Sequence, residues 1–114
     1  MYLIQNITSD SKQTKNLILE DGSILTFTIY FVPMQYGWFI TNLTYGDFVL
    51  NGLRVCNNPN MLFQWKNVLP FGMACFSRSN REPSQQQDFV SGNSNLYILT
   101  SAEVEEYSEF LANG

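Results

Sequence analysis

A chain of 114 residues, 45% of them hydrophobic, makes one domain that buries roughly 60 to 70% of its unfolded surface without needing a metal or a disulfide. Only 14% of residues are charged, against about 25% in an ordinary soluble domain, so its 12 Asn and 7 Gln supply a largely neutral polar surface. The net charge of −4 comes from Glu103, Glu105, Glu106 and Glu109 near the C-terminus, leaving no basic footprint for nucleic acid; the lack of histidine removes the commonest general base and zinc ligand.

Residues 2–7 read as a short strand, and residues 8–16, without an apolar side chain after Ile7, as a polar surface loop. Residues 17–19 lead into Asp21-Gly22, a strong hairpin signal. Along 24–31 the apolar Leu25, Phe27, Ile29 and Phe31 alternate with Ile24, Thr26, Thr28 and Tyr30, the period of a half-buried strand. Pro33 ends that strand and Gly37 opens the next. Residues 38–43 and 48–55 flank Tyr45-Gly46-Asp47 as a second hairpin, with Gly52 marking a bulge or a close backbone approach.

Asn57-Asn58-Pro59-Asn60 is a turn, with Asn60 placed to cap a short helix over 61–66. Pro70 and Gly72 punctuate the entry to a strand over 73–78, and residues 79–87 form an exposed loop. Ser91-Gly92-Asn93-Ser94 precedes a last strand over 96–99. Thr100-Ser101-Ala102-Glu103 has the capping-box form and starts an acidic helix at about 101–112. The expected fold is all-β over residues 1–114: a compact antiparallel barrel or sandwich of six to eight short strands, with the short helix near 60–66 and the C-terminal helix.

Cys56 and Cys75 lie in apolar, strand-like runs where a thiol acts as a small hydrophobe, and both are expected to be reduced. The start of the chain has no basic n-region of a secretory signal, and no segment approaches the ~20 apolar residues of a membrane span. Asp47, Glu82 and Asp88 are the carboxylates that could serve glycoside hydrolysis, which needs a pair roughly 5 to 9.5 Å apart. Tyr36, Trp38, Tyr45 and Trp65 could form a sugar-stacking platform or anchor an interface. Both tryptophans read better as core, leaving Tyr36 and Tyr45 as interface candidates. Arg54, Arg78 and Arg81 join them as bidentate partners for carboxylates on a neighbour. No catalytic, cofactor-binding or metal-binding residue is assigned, and no cofactor is expected.

A succession of local signals also points to a family. Gly37-Trp38-Phe39-Ile40 is followed by Tyr45-Gly46-Asp47, by Phe48-Val49-Leu50-Asn51-Gly52-Leu53-Arg54-Val55, and by Asn58-Pro59-Asn60-Met61-Leu62. Together with Glu20-Asp21-Gly22-Ser23, Leu69-Pro70-Phe71-Gly72, Glu82-Pro83, Asp88-Phe89 and Asn95-Leu96-Tyr97-Ile98-Leu99, this order resembles the baseplate plug proteins of contractile-tailed phages, of the cyanophage type with a simple baseplate. The resemblance covers about residues 17–99 and leaves residues 1–16 and the tail after Thr100 unmatched.

It implies a non-enzymatic structural subunit of the virion, made and assembled in the host cytoplasm. Such a subunit sits in the tail baseplate against the hub, tube end or spike, and is expected to form a homo-oligomer of threefold or sixfold symmetry. The alternative expectation is a carbohydrate-binding β-sandwich module of a phage tail. Neither reading involves nucleic acid or a membrane.

Overall fold

In β3 (Ile24–Val32), Leu25, Phe27 and Ile29 are fully buried while Ile24 on the opposite face is 62% exposed. Burying each of these inward side chains is worth about 1.5 to 3 kcal/mol, which fixes the face the strand presents to the core. The computed structural model describes residues 2–5, 7–19, 22–78 and 83–113, excluding the side chains of 108 and 110–113. Within them, β2 (Lys12–Ile18) pairs antiparallel with β3 from Lys12 opposite Tyr30 to Ile18 opposite Ile24. Between the two, Leu19 donates to the Ser23 carbonyl and Gly22 to that of Leu19, with Gly22 at φ 87°. Asp21 of the expected hairpin lies outside the described residues.

Strand β2 extends through most of a segment that reads as a loop, because what aligns it is polar. Thr14 and Thr28 share a hydroxyl hydrogen bond at 3.1 Å, and the Thr26 hydroxyl donates to Asn16 Oδ1 at 2.8 Å. Cross-strand pairs of this kind stabilise a solvated sheet face without any hydrophobic alternation to reveal it.

A 3-10 turn over Pro33–Gln35 leads into β4 (Gly37–Tyr45), which pairs with β3 on one side. On its other side β4 carries β5 (Phe48–Leu50) and β6 (Leu53–Arg54). Thr41 lies opposite Thr28 but Thr44 opposite Thr26, so β4 holds one extra residue. Asn42, at φ 52°, provides the bulge, and inward-facing side chains shift from Trp38 and Ile40 to Leu43. Asn51 and Gly52 interrupt the facing strand at the same level, Gly52 at φ 75°, where the sequence anticipates an irregularity.

The second sheet has the order β1-β8-β7, with β1 at Tyr2–Leu3, β7 at Gly72–Ser77 and β8 at Ser94–Leu99. Residues 57–61 run along the outer side of β7. Asn58 bridges Cys75, Met61 donates to the Met73 carbonyl at 2.7 Å, and Ser77 N–H donates to Asn57 Oδ1 at 3.1 Å. Asn60 is 2% exposed, and its Oδ1 accepts the amides of both Leu62 and Met73. Tied to β7 in this way, the segment expected to be a helix over 61–66 makes a single 3-10 turn, Phe63–Trp65.

The two sheets face one another across one core, with Phe27, Trp38 and Ile40 from the larger meeting Met73, Leu96 and Ile98 from the smaller. The edge strands β1 and β2 do not pair, so the architecture is a sandwich and not a closed barrel. Helix α1 (Ser101–Asn113) packs on this domain's own small sheet, where Val104 is buried with Ala74 and Leu99. Tyr107 meets Phe63 edge-on at 5.6 Å. Its capping box forms as the sequence anticipates: Glu103 N–H donates to Thr100 Oγ1 at 3.3 Å, and Thr100 N–H to Glu103 Oε1 at 3.1 Å. Among the described residues no helix is long and apolar enough to cross a membrane.

Candidate interface

The turn between β3 and β4 projects its side chains into solvent. Met34 is 92% exposed and Tyr36 72% exposed. Tyr36 occupies the left-handed region, φ 49° and ψ 48°, with its amide donating to the Pro33 carbonyl at 3.2 Å. A bulky side chain adopts that conformation rarely, at a cost of about 1 to 2 kcal/mol, so the surroundings must hold it.

Arg54 supports the residues on either side of Tyr36. From β6 its Nη2 donates to the Gln35 carbonyl at 3.4 Å, and its guanidinium lies 5.3 Å from the centre of the Phe39 ring. Phe39 in turn stacks on Tyr30, with ring centres 5.8 Å apart. Gly37 makes room for the guanidinium, since a Cβ there would lie 2.7 Å from Arg54 Nη2. Pro33 fixes one end of the turn and the Arg54 layer braces the other. The result is a tip supported at both ends and bearing Met, Tyr and Arg, residue types enriched where protein surfaces meet.

Of the five candidates read from sequence, Tyr36 and Arg54 are thus brought together. Tyr45 lies elsewhere: it is the last residue of β4, half-buried, with its ring 5.3 Å from Phe71 and its hydroxyl 3.4 Å from Ser23 Oγ. Arg78 is exposed just after β7, its amide donating to the Asn93 carbonyl at 2.7 Å. Arg81 is outside the described residues. Met34 was missed, although its position between Pro33 and Gly37 marks it as a turn tip.

A second surface has no counterpart in the sequence reading. The open side of the sandwich, between β1 and β2, is a groove of about 480 Å³ lined by Leu3, Ile4, Leu17, Ile18, Phe71 and Leu99 among others. Among the described residues none that lines it is charged. At its rim Tyr2 is 53%, Leu3 47% and Ile18 81% exposed. The tip and the groove stand near opposite ends of β3, about 27 Å apart along the strand.

Of the candidate carboxylates, the two described, Asp47 and Asp88, do not form a pair. Asp88 is 4% exposed, its Oδ2 accepting the amides of Ser84 at 2.8 Å and Gln85 at 2.9 Å, and its Oδ1 the Asn93 side-chain amide at 3.2 Å. That loop sits against the start of β4, where Trp38 Nε1 donates to the Gln85 carbonyl at 3.0 Å and Phe89 meets the Trp38 ring edge-on at 5.3 Å. Asp47 is at the other end of the nine-residue β4, some 25 Å of strand away by the usual rise of ~3.3 Å per residue. Glu82 lies outside the described residues. Nor do the aromatics form a platform: Trp38 is fully buried, Tyr45 and Trp65 are half-buried, and only Tyr36 is open to solvent. Among the described residues no group of three His, Cys, Asp or Glu side chains could hold a metal.

No known protein-family model matches this chain, and no curated protein matches it in sequence.

Proposed function

We propose that the chain is a non-enzymatic structural subunit of a contractile phage tail baseplate, a plug-like protein that contacts the hub, the tube end or the spike. The reading rests on the ordered succession of turn and strand signals over residues 17–99, and the structural observation that carries it is the braced tip at Tyr36. A surface that holds a tyrosine in a costly conformation, supports it with Arg54 over Phe39, and places it at the end of a long strand is pre-organised for a partner. It presents no convergent chemistry for a small substrate.

Several copies arranged about the threefold or sixfold axis of a baseplate would present the tip at equivalent positions, as closed symmetry permits. The low charge of the chain suits this permanent contact, because covering Asn and Thr costs less than desolvating ions. The site of action is the virion, with assembly in the host cytoplasm.

Cross-linking with mass spectrometry on purified virions tests the proposal. Low-copy recovery of the chain, joined through Lys12, Lys15 or Lys66 or through its carboxylates to hub or tube-end proteins, is the expected result. Virions that lack the chain would overturn it.

A further inference from the structure

The hydrogen-bond alternation of both edge strands leaves backbone groups pointing into the groove of the sandwich. Phe31 donates to the Ser11 carbonyl and Leu19 to that of Ser23, so the odd-numbered residues of β2 exchange bonds with β3 while Lys12, Thr14, Asn16 and Ile18 turn amide and carbonyl outward. On the opposite wall Ile4 donates to the Leu96 carbonyl, which by the same alternation turns the amide and carbonyl of Leu3 away from β8. Among the described residues no strand of the chain lies beyond either edge.

Both Leu3 and Ile18 line the same apolar groove. The β2 wall therefore offers a row of outward backbone donors and acceptors and the β1 wall the amide and carbonyl of Leu3, above a floor that includes Phe71 and Leu17. The described lining is apolar and uncharged, which favours an apolar occupant, and backbone groups facing from both walls select for a chain whose own amides and carbonyls point both ways. We infer that this groove accepts an extended, uncharged segment of a partner protein, apolar at alternate residues, which inserts as a strand between β1 and β2 and closes this side of the sandwich. The segment would place one row of backbone groups against Leu3 and the other against Ile18, with every second side chain on Phe71 and Leu17. The inference concerns the seam and not the Tyr36 tip, and it holds whether or not the partner belongs to a baseplate.

The experiment is selection of a displayed random dodecapeptide library on the full chain, followed by amide-resolved NMR with the selected peptide. The expected consensus is apolar at every second position and free of charge, and binding shifts the amides of Leu3, Asn16 and Ile18 and slows their exchange. Ile18→Pro removes one outward donor without touching the ladder to β3, and is expected to weaken the peptide about tenfold, the loss of one backbone hydrogen bond. Ile18→Val should bind within about threefold of the parent.

Should the proline variant not fold, N-methylation of alternate peptide amides tests the same bonds from the ligand side and is expected to abolish binding. The inference is overturned if no peptide is enriched, if the consensus has helical spacing, or if N-methylated peptide binds equally. It is also overturned if decanoate perturbs the groove while peptides do not.

Discussion

Asn51 Oδ1 accepts the backbone amide of Asn42 and the hydroxyl of Thr41, each at 2.9 Å. One side chain thereby satisfies a backbone amide at the bulge that lets β4 face Trp38 and Leu43 into the same core despite their odd spacing. Asn51→Ala is expected to lower stability by about 1 to 2 kcal/mol, from the lost bonds and the unmatched amide, readable as a lower midpoint in urea denaturation at unchanged slope. Asn42→Gly removes the cost of a side chain at φ 52° and should leave stability level or raise it by about 0.5 kcal/mol.

At the tip, stability and assembly should separate. Tyr36→Gly relieves the left-handed conformation and is expected to change stability by less than about 1 kcal/mol, in the favourable direction. It removes the anchor of the proposed contact and should reduce incorporation into particles. Gly37→Ala brings a Cβ against the movable end of Arg54, so its fold should persist while the guanidinium leaves Gln35 and Phe39. Thermal melts set beside virion incorporation distinguish the two effects.

Gly72 offers the opposite case. A Cβ there would lie 2.7 Å from Asn60 Oδ1 and 2.9 Å from its Cγ, and Asn60 is buried and bonded at both Leu62 and Met73. With no room to yield, Gly72→Ala is expected to destabilise by about 2 to 4 kcal/mol. A calorimetric midpoint lowered by about 10 °C or more would register it.

Asp88 should prove structural. Replacing it by alanine strands the amides of Ser84 and Gln85 and should cost about 2 to 3 kcal/mol, with faster proteolysis of residues 83–93. Asp88→Asn keeps one acceptor for those amides but turns a donor toward Asn93, so an intermediate loss is expected. If either variant abolished a glycan-cleaving activity while the loop stayed protected, the structural role would be wrong.

What was legible in the sequence followed from hydrophobic period and turn chemistry. Leu25, Phe27 and Ile29 declare the inner face of β3, Gly52 declares the break opposite β4, and the pattern from Thr100 to Glu103 declares the start of α1. The bonds of β2 were hidden because Thr14 and Asn16 align it through hydroxyl and amide partners on β3, which only pairing reveals. Arg54 was legible as a surface cation but not as the brace of Tyr36, since they are 18 residues apart and meet only once β6 lies beside β4. The groove was invisible for a related reason. Leu3 and Ile18 come to line one groove only when two sheets stack with their first strands on the same side.

The break at Asn51-Gly52 has a consequence for how far association can spread. Of the four sheet borders, β1 and β2 flank the groove, β7 is occupied by residues 57–61 of the same chain, and the border formed by β5 and β6 is interrupted at Asn51-Gly52. An interrupted border is a poor template for a further strand. A subunit whose groove has been filled then has no regular row left to offer the next molecule. Strand addition is self-terminating: it can join two chains, but it does not propagate into a fibre.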